Sequence, residues 1–418
     1  MKTKHIKNNF RWRYVLTLAF AHFYHDTYSS FLAPILPLLI KNLGLSLSLA
    51  ALLSLFQRIP SLINPFIGVI ADELPLTWFV VITPLITSIV MSLLPISSSY
   101  LFLFLLLITT GLSSAFFHVP APVLVRKVSG KRVGAGMSFF MFGGELARSV
   151  GPLVILGAVT MWGMKGTYRL IYFGIAGSVF LYFMLKQLPE GNRKARNKKI
   201  TQAGSGNSGE QQVEPAEFAE STESAELEKE RKYLSGLRDV LKRHKRLFII
   251  LSGIIFSKSL IVSSFTAFLP TYLTSRGNSL WLAGISLSVL EFAGAAGTFA
   301  SGVLSDFIGR KWMLLLTTLL SPVFFAFFLM SHGVFILPSL ILLGFFIFSA
   351  SPVIMALVQD SENEYPASAN GIYMMLNFVI NSVIILLIGI AGDRIGLENT
   401  YKLCLVVSLS GIPFVLLL

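Results

Sequence analysis

Charge is scarce in this chain. Only 13% of its 418 residues are Asp, Glu, Lys or Arg, while 54% are hydrophobic and the mean hydropathy is +0.71. A soluble domain carries about 25% charged residues, so this composition excludes an ordinary water-exposed globule and calls for lipid as solvent. Cysteine is nearly absent. Cys404 stands alone, which excludes a disulfide framework, a thiolate metal set and a redox pair. No G-x-x-x-x-G-K-[ST] phosphate loop occurs, so any uphill step draws on an ion gradient rather than ATP. There is no H-E-x-x-H or comparable ligand spacing. His22, His25, Asp26 and His118 are therefore expected to bind no metal, and no cofactor is expected. The basic start lacks a small-residue cleavage site, and Phe31 to Ile40 continues the first apolar run, so an uncleaved first helix is expected.

What is present is a series of long apolar runs. A membrane-crossing helix needs about 20 such residues. Twelve runs are read, at 13–40, 47–71, 77–95, 100–124, 133–158, 167–187, 247–274, 280–304, 312–331, 334–357, 367–391 and 400–418. They are continuous rather than alternating, which predicts helices and not a barrel. The net charge of +13 is not a nucleic-acid footprint, because of where it sits. Of the 34 Lys and Arg residues, 25 fall on one side of the twelve-span plan and six on the other. The positive-inside rule then places both termini and the central segment in the cytoplasm of a multi-pass inner-membrane (plasma-membrane) protein. The acidic stretches Asp72-Glu73 and Asp360 to Glu364 lie on that same side, but acidic residues contribute little to orientation.

Residues 188–246 interrupt the pattern with a basic stretch, a Gly/Ser-rich stretch and glutamates at every third position from Glu214 to Glu226. This predicts a largely disordered cytoplasmic linker. Leu234, Leu237, Val240 and Leu241 beside Arg238, Lys242, Arg243 and Lys245 predict a short amphipathic helix near 233–245, lying on the inner membrane surface. The linker separates six spans (1–187) from six (247–418). The halves echo one another: Gly68 to Asp72 matches Gly302 to Asp306, and Phe31-Leu-Ala-Pro34 matches Phe268-Leu-Pro270. Parallel halves with a site between them near the midplane are a recurring transporter plan. The predicted class is an all-α membrane protein of twelve transmembrane helices in two pseudo-symmetric six-helix bundles.

Six ionisable residues sit near the middle of apolar runs: Asp26, Arg58, Glu145, Arg148, Lys258 and Glu291. A charge at the bilayer centre costs about 2.5–3.5 kcal/mol on insertion scales, so such groups are kept where they face a cavity or each other. His22 lies one turn before Asp26 on the same helix face. Asp26, with His22 and His118, is a candidate proton carrier; the alternative is a fixed structural pair with Arg58 or a histidine. Glu145 and Arg148, three apart, are read either as a pair exchanged between proton and substrate or as a permanent ion pair. Arg58, beside Gln57, offers a rigid fork for carboxylate, phosphate or phosphonate. Lys258 and Glu291 supply an opposite-sign pair from the second half. Asn377 and Asn381, one turn apart, either line the cavity or bond between helices. The candidates for proton coupling are thus Asp26, Glu145, His22, His118 and Glu291. Those for the substrate cavity are Arg58, Gln57, Tyr28, His25, Arg148, Lys258, Asn377 and Asn381.

Gly302-x-x-x-Asp306-x-x-Gly309-Arg310-Lys311 resembles the loop motif of the major facilitator superfamily. The resemblance implies a conformational latch formed by Gly302, Asp306, Gly309, Arg310 and Lys311; its first-half copy keeps Gly68 and Asp72 without the basic end. His22-Phe-Tyr-His-Asp26-Thr-Tyr28, running into Phe31-Leu-Ala-Pro-Ile-Leu-Pro, together with Phe117-His118 and Ser138 to Pro152, resembles the fosmidomycin-resistance branch. His25 and Glu145 stand where that branch usually has Asn, and Val119-Pro120-Ala121 where it has an acidic residue. The resemblance implies the major facilitator fold and proton-coupled efflux of a small polar or amphipathic compound by a monomer in the lipid bilayer. The competing readings are proton-coupled uptake of a nutrient or organic anion, an intramembrane metal-dependent enzyme, and a sensor signalling through the linker.

Overall fold

The apolar runs become helices because every backbone N–H and C=O in lipid must find an internal partner. A computed structural model describes residues 10–64, 67, 76–130, 132–188, 240–361 and 366–418, and no strand occurs among them. The first run is bent: α1 (Trp12–Ser29) and α2 (Leu32–Leu43) are separate helices. Pro34 has no N–H to offer the Ser30 carbonyl. The Ser29 and Ser30 hydroxyls instead donate back to the carbonyls of Asp26 and Thr27, at 3.2 and 2.9 Å. Helix α3 (Leu47–Arg58) starts on Ser46, whose Oγ accepts from the Leu49 N–H at 3.1 Å, and continues as the 3-10 turn Ile59–Ile63.

Helix α4 (Leu76–Leu93) follows, then α5 (Tyr100–His118) and α6 (Pro120–Ser129). The last two form one crossing broken after His118 by Pro120. The first half ends with α7 (Val133–Trp162) and α8 (Leu170–Leu185). After the central segment come α9 (Lys245–Ser275), α10 (Leu280–Ile308), α11 (Arg310–Met330), α12 (Ile336–Ser361), α13 (Pro366–Ser408) and α14 (Gly411–Leu416).

Nine described stretches are long and apolar enough to cross a bilayer. The longest, Ile372–Leu416, has 45 residues. As one straight helix it would run about 68 Å, more than twice the bilayer core of about 30 Å. Gly396, at φ 79°, turns the chain within it, so it makes two crossings. With α1–α2 and the shorter described run Leu47–Ile63, the twelve expected crossings are accounted for.

Helices α1 to α8 pack among themselves, with α1 against α7 and α4 against α5 and α8. Helices α9 to α14 do likewise, with α10 against α12 and α9 against α13. The halves meet through α7 with α10, α3 with α13, and α2 with α9. Leu156 of α7 packs where Gly284 of α10 has no side chain, and Gly389 of α13 lies against Leu47 and Ala51. At the same end Asp393 of α13 reaches across: its carboxylate accepts from the backbone N–H groups of Leu47 at 2.6 Å and Ser48 at 2.9 Å. This end of the molecule is sealed.

Most of 188–246 and of the amphipathic segment 233–245 lies outside the described residues. Its described end is helical from Val240, which is fully buried in the second half's own core while Leu241 is exposed. Gly68 and Asp72 also lie outside the described residues. In the complete copy of the motif, Gly309 turns the chain at φ 91°. Arg310 pairs with Asp306 at 2.6 Å and Asp360 at 3.2 Å, and Lys311 donates to the Leu416 carbonyl at 2.9 Å. All of these partners belong to the second half, so the clamp joins α10, α11, α12 and α14 rather than the two halves.

Candidate functional site

A cavity of about 490 Å³ lies between the halves. The break between α1 and α2 brings Ser29 and Ser30 to its wall. Helix α3 contributes Gln57 and Arg58, α5 His118, α7 Arg148 and α10 Glu291. Gln57 is held by donating to the Ser29 carbonyl at 2.7 Å. Arg148 is forked between two carboxylates. It pairs with Glu145 of its own helix, and its Nε donates to Glu291 Oε2, from the other half, at 3.4 Å. Arg58 lines the same cavity and, among the described residues, enters no ion pair.

One layer behind the wall, wholly within the first half, lies a second polar group. Asp26 is surrounded by three imidazoles: His25 Nδ1 at 2.9 Å, His22 Nε2 at 3.3 Å and His118 Nε2 at 3.5 Å. His22 stacks on Phe140, and its ring occupies the space that a Cβ on Gly144 would need. A residue larger than glycine there would expel it. His25 is fully buried against Phe117. Thr87 gives its hydroxyl proton to Ser113, which gives its own to the Thr83 carbonyl. His25 Nε2–H therefore donates to Thr87, at 3.1 Å, and the Nδ1 face is fixed on Asp26.

The structure thus joins Arg58, Gln57, His118, Arg148 and Glu291 around one cavity, with Glu145 and Asp26 attached to its wall. Five expected cavity residues, Tyr28, His25, Lys258, Asn377 and Asn381, do not line it. Tyr28 points into the first-half core, where its hydroxyl donates to the Leu170 carbonyl at 2.9 Å. His25 is enclosed as described. Lys258 does not pair with Glu291; its ammonium donates to Ser351 beside a separate small void bounded by Ile254, Thr317 and Phe346. Asn381 turns back to Asn377 on its own helix, at 3.1 Å, next to Phe378, which does line the cavity. The error has one cause. Lys258 was placed by depth in its run, but facing is set by how α9 packs, and sequence spacing does not report that. Asp393 was missed altogether. The only sequence signal was an acidic residue at the expected end of a span, opposite the Ser46 cap.

Two helical halves enclosing a charged cavity within the bilayer, with an ion pair that joins one half to the other among the described residues, define a membrane transporter. A family model for the Major Facilitator Superfamily matches residues 18–385, and the chain belongs to that superfamily. It is similar to the fosmidomycin resistance protein of Escherichia coli (strain K12), with 24% identity over 406 residues that cover 94% of this chain and 90% of that protein. Among solved structures it shares its fold with a bacterial homologue of the human lysosomal transporter Spinster in an inward-facing, unoccupied conformation. There the TM-score is 0.73 at 13% identity, covering 100% of this chain and 97% of that one. A D-xylose–proton symporter gives a TM-score of 0.68 at 16% identity, covering 97% and 96%.

Proposed function

We propose that this transporter exports a small polar or amphipathic compound bearing an anionic group in exchange for protons. It does so as a single chain in the inner membrane, with both termini and the 188–246 linker in the cytoplasm. The halves 1–187 and 247–418 rock about the cavity and expose it to each side in turn. The carrying observation is Arg148, held between Glu145 of one half and Glu291 of the other. Separating the halves parts Arg148 from Glu291. A carboxylate left without its cation inside a membrane is costly, so Glu291 takes up a proton or another cation as the halves part. Proton occupancy and conformation are linked by that exchange. Asp26, His22 and His118 lie within one half, so rocking neither makes nor breaks their mutual contacts. For this reason the proton step is placed on the Glu145–Arg148–Glu291 array.

The guanidinium of Arg58, which enters no ion pair among the described residues, supports an anionic substrate, since its planar fork suits carboxylate or phosphonate. The name of the Escherichia coli relative supports export and makes fosmidomycin the first probe. In inside-out vesicles given an acidic interior, labelled fosmidomycin should accumulate inside in exchange for protons, and Glu291→Gln should abolish the dependence on the gradient. Accumulation only under the opposite gradient would establish uptake instead. Gradient dependence that survives in Glu291→Gln would remove the proton step from this array.

A further inference from the structure

We propose that His22, His118 and Asp26 form a binding site for one divalent transition cation of the zinc type, with a fourth coordination position open to the central cavity. The inference does not rest on the direction of transport or on the proton step.

The spacing of the ligand atoms is the first ground. His22 Nε2 and His118 Nε2 are 3.2 Å apart, His22 Nε2 and Asp26 Oδ2 are 3.3 Å apart, and His118 Nε2 and Asp26 Oδ1 are 3.5 Å apart. Two ligands about 2.0–2.1 Å from a tetrahedral ion stand about 3.3–3.4 Å from each other. The two histidines face different oxygens of Asp26; taking one donor atom per residue, all three lie within 4.8 Å of one another, close to the spacing of three ligands on one face of a zinc-sized tetrahedron.

The hydrogen bonds are the second ground. His22 Nδ1 faces the Phe140 carbonyl at 2.8 Å, and His118 Nδ1 faces the Ser114 carbonyl at 2.9 Å. A carbonyl only accepts, so both Nδ1 atoms carry their proton and both Nε2 atoms present a lone pair when the ring is neutral. Two lone pairs aimed at each other across 3.2 Å require a positive charge between or beside them. Backbone carbonyls on the outer nitrogens are also how proteins orient metal-binding histidines. Asp26 is held from its other side, with Oδ1 2.9 Å from His25 Nδ1 and His25 anchored on the Thr87–Ser113 hydroxyl chain.

Access and ion type follow. The His22 and Asp26 side chains are 5% and 10% exposed, but that of His118 is 36% exposed and it lines the cavity. An ion enters past His118, and its remaining position faces the cavity, where water or an anionic group completes the shell. Two imidazoles and one carboxylate suit zinc, cobalt or nickel, whereas magnesium and calcium prefer all-oxygen sites. His22 and Asp26 are four apart on one helix face, but the third ligand comes from α5. Sequence spacing alone therefore gave no metal signature.

The test uses the full chain, purified in detergent with a histidine-free tag, treated with chelator and titrated with zinc and cobalt chlorides. One ion per chain should bind, and cobalt should show the intense d–d absorption of four-coordination. His118→Ala and the bulkier His118→Gln should each weaken binding at least about 10-fold while the melting curve shows a folded protein. His332→Ala, on Arg276 and outside the cluster, should bind as the parent does. A folded parent that binds no stoichiometric ion, its lone pairs bridged by a proton alone, would overturn the proposal. Binding that is unchanged in both His118 variants would overturn it equally.

Discussion

Removing the Asp393 carboxylate should open the sealed end of the molecule. The first N–H groups of α3 have no partner within the helix. Ser46 Oγ covers that of Leu49, and Asp393 of the opposite half covers those of Leu47 and Ser48 at 2.6 and 2.9 Å. Hydrogen bonds to a charged group are worth about 1.5–3 kcal/mol each, and a carboxylate at a helix N-terminus gains a further ~0.3–1 kcal/mol. Asp393 is exposed, so water replaces much of this when the halves part. A net preference of about 1–2 kcal/mol for the sealed state remains, which corresponds to a population ratio of about 5–30. Asp393→Ala should shift the equilibrium between sealed and open forms by that factor, and Asp393→Asn, which keeps one acceptor oxygen, by less.

The chain suits the measurement. Its one cysteine, Cys404, is buried, so Cys404→Ser provides a background into which single cysteines are placed. Leu49 and Ile395 are exposed on the two sides of the contact. Spin labels there should give a distance distribution with a longer component that grows from parent to Asn to Ala. Identical distributions in the parent and Asp393→Ala would refute the reasoning, and the carboxylate would then be a local helix cap with no part in holding the halves together.

Two further substitutions separate the cavity from its surroundings. Arg58→Ala should raise KM for an anionic substrate at least about 10-fold, because the fork is lost, with Arg58→Lys intermediate; unchanged KM in transport assays would take Arg58 out of the binding wall. Lys258→Met should leave transport within about 2-fold and leave the melting temperature unchanged or higher, since a well-packed apolar residue often replaces a buried charge at no cost; loss of substrate binding in this variant would place the lysine in the substrate path after all.

How far the sequence revealed this site depended on whether facing could be inferred from one helix. His22 and Asp26 share a face by spacing alone, and so do Glu145 and Arg148; both pairs meet in the structure. The crossings were legible because apolar length is a property of a single run. The bend at Ser30–Phe31 and the break after His118 depart from straight spans, at Pro34 and Pro120 respectively, while the turn at Gly396 falls between two expected spans. Pairings between distant spans were not legible. Arg148 with Glu291, His118 with His22, and Asp393 with the start of α3 depend on helix rotation and stagger, which are fixed by packing. Gly144 and Gly284 show the kind of signal involved: each lacks a side chain where a neighbour's is seated. A glycine in an apolar run indicates close approach without naming the partner.

The cross-half contacts also bear on how the proposed cation site and the proposed proton-exchange array relate to each other. Helices α7 and α10 run antiparallel, with Leu156 opposite Gly284 and Arg148 opposite Glu291. The second rung lies about 11 Å deeper than the first. Opening the sealed end parts α3 from Asp393 and spreads α7 from α10 at Leu156, so the strain reaches Arg148–Glu291 through the same helix pair. The energies of the Asp393 cap and the ion pair then enter one equilibrium, and their losses add in free energy. The His22–Asp26–His118 group is joined instead to α1, α5 and α7, which stay together within one half. An ion held there makes and breaks no contact across the halves, and it reaches the Arg148 array only through the electrostatic interaction of Arg148 with Asp26 and His118. Such a division places conformational energy where the halves touch and chemical selectivity in the half that does not rearrange.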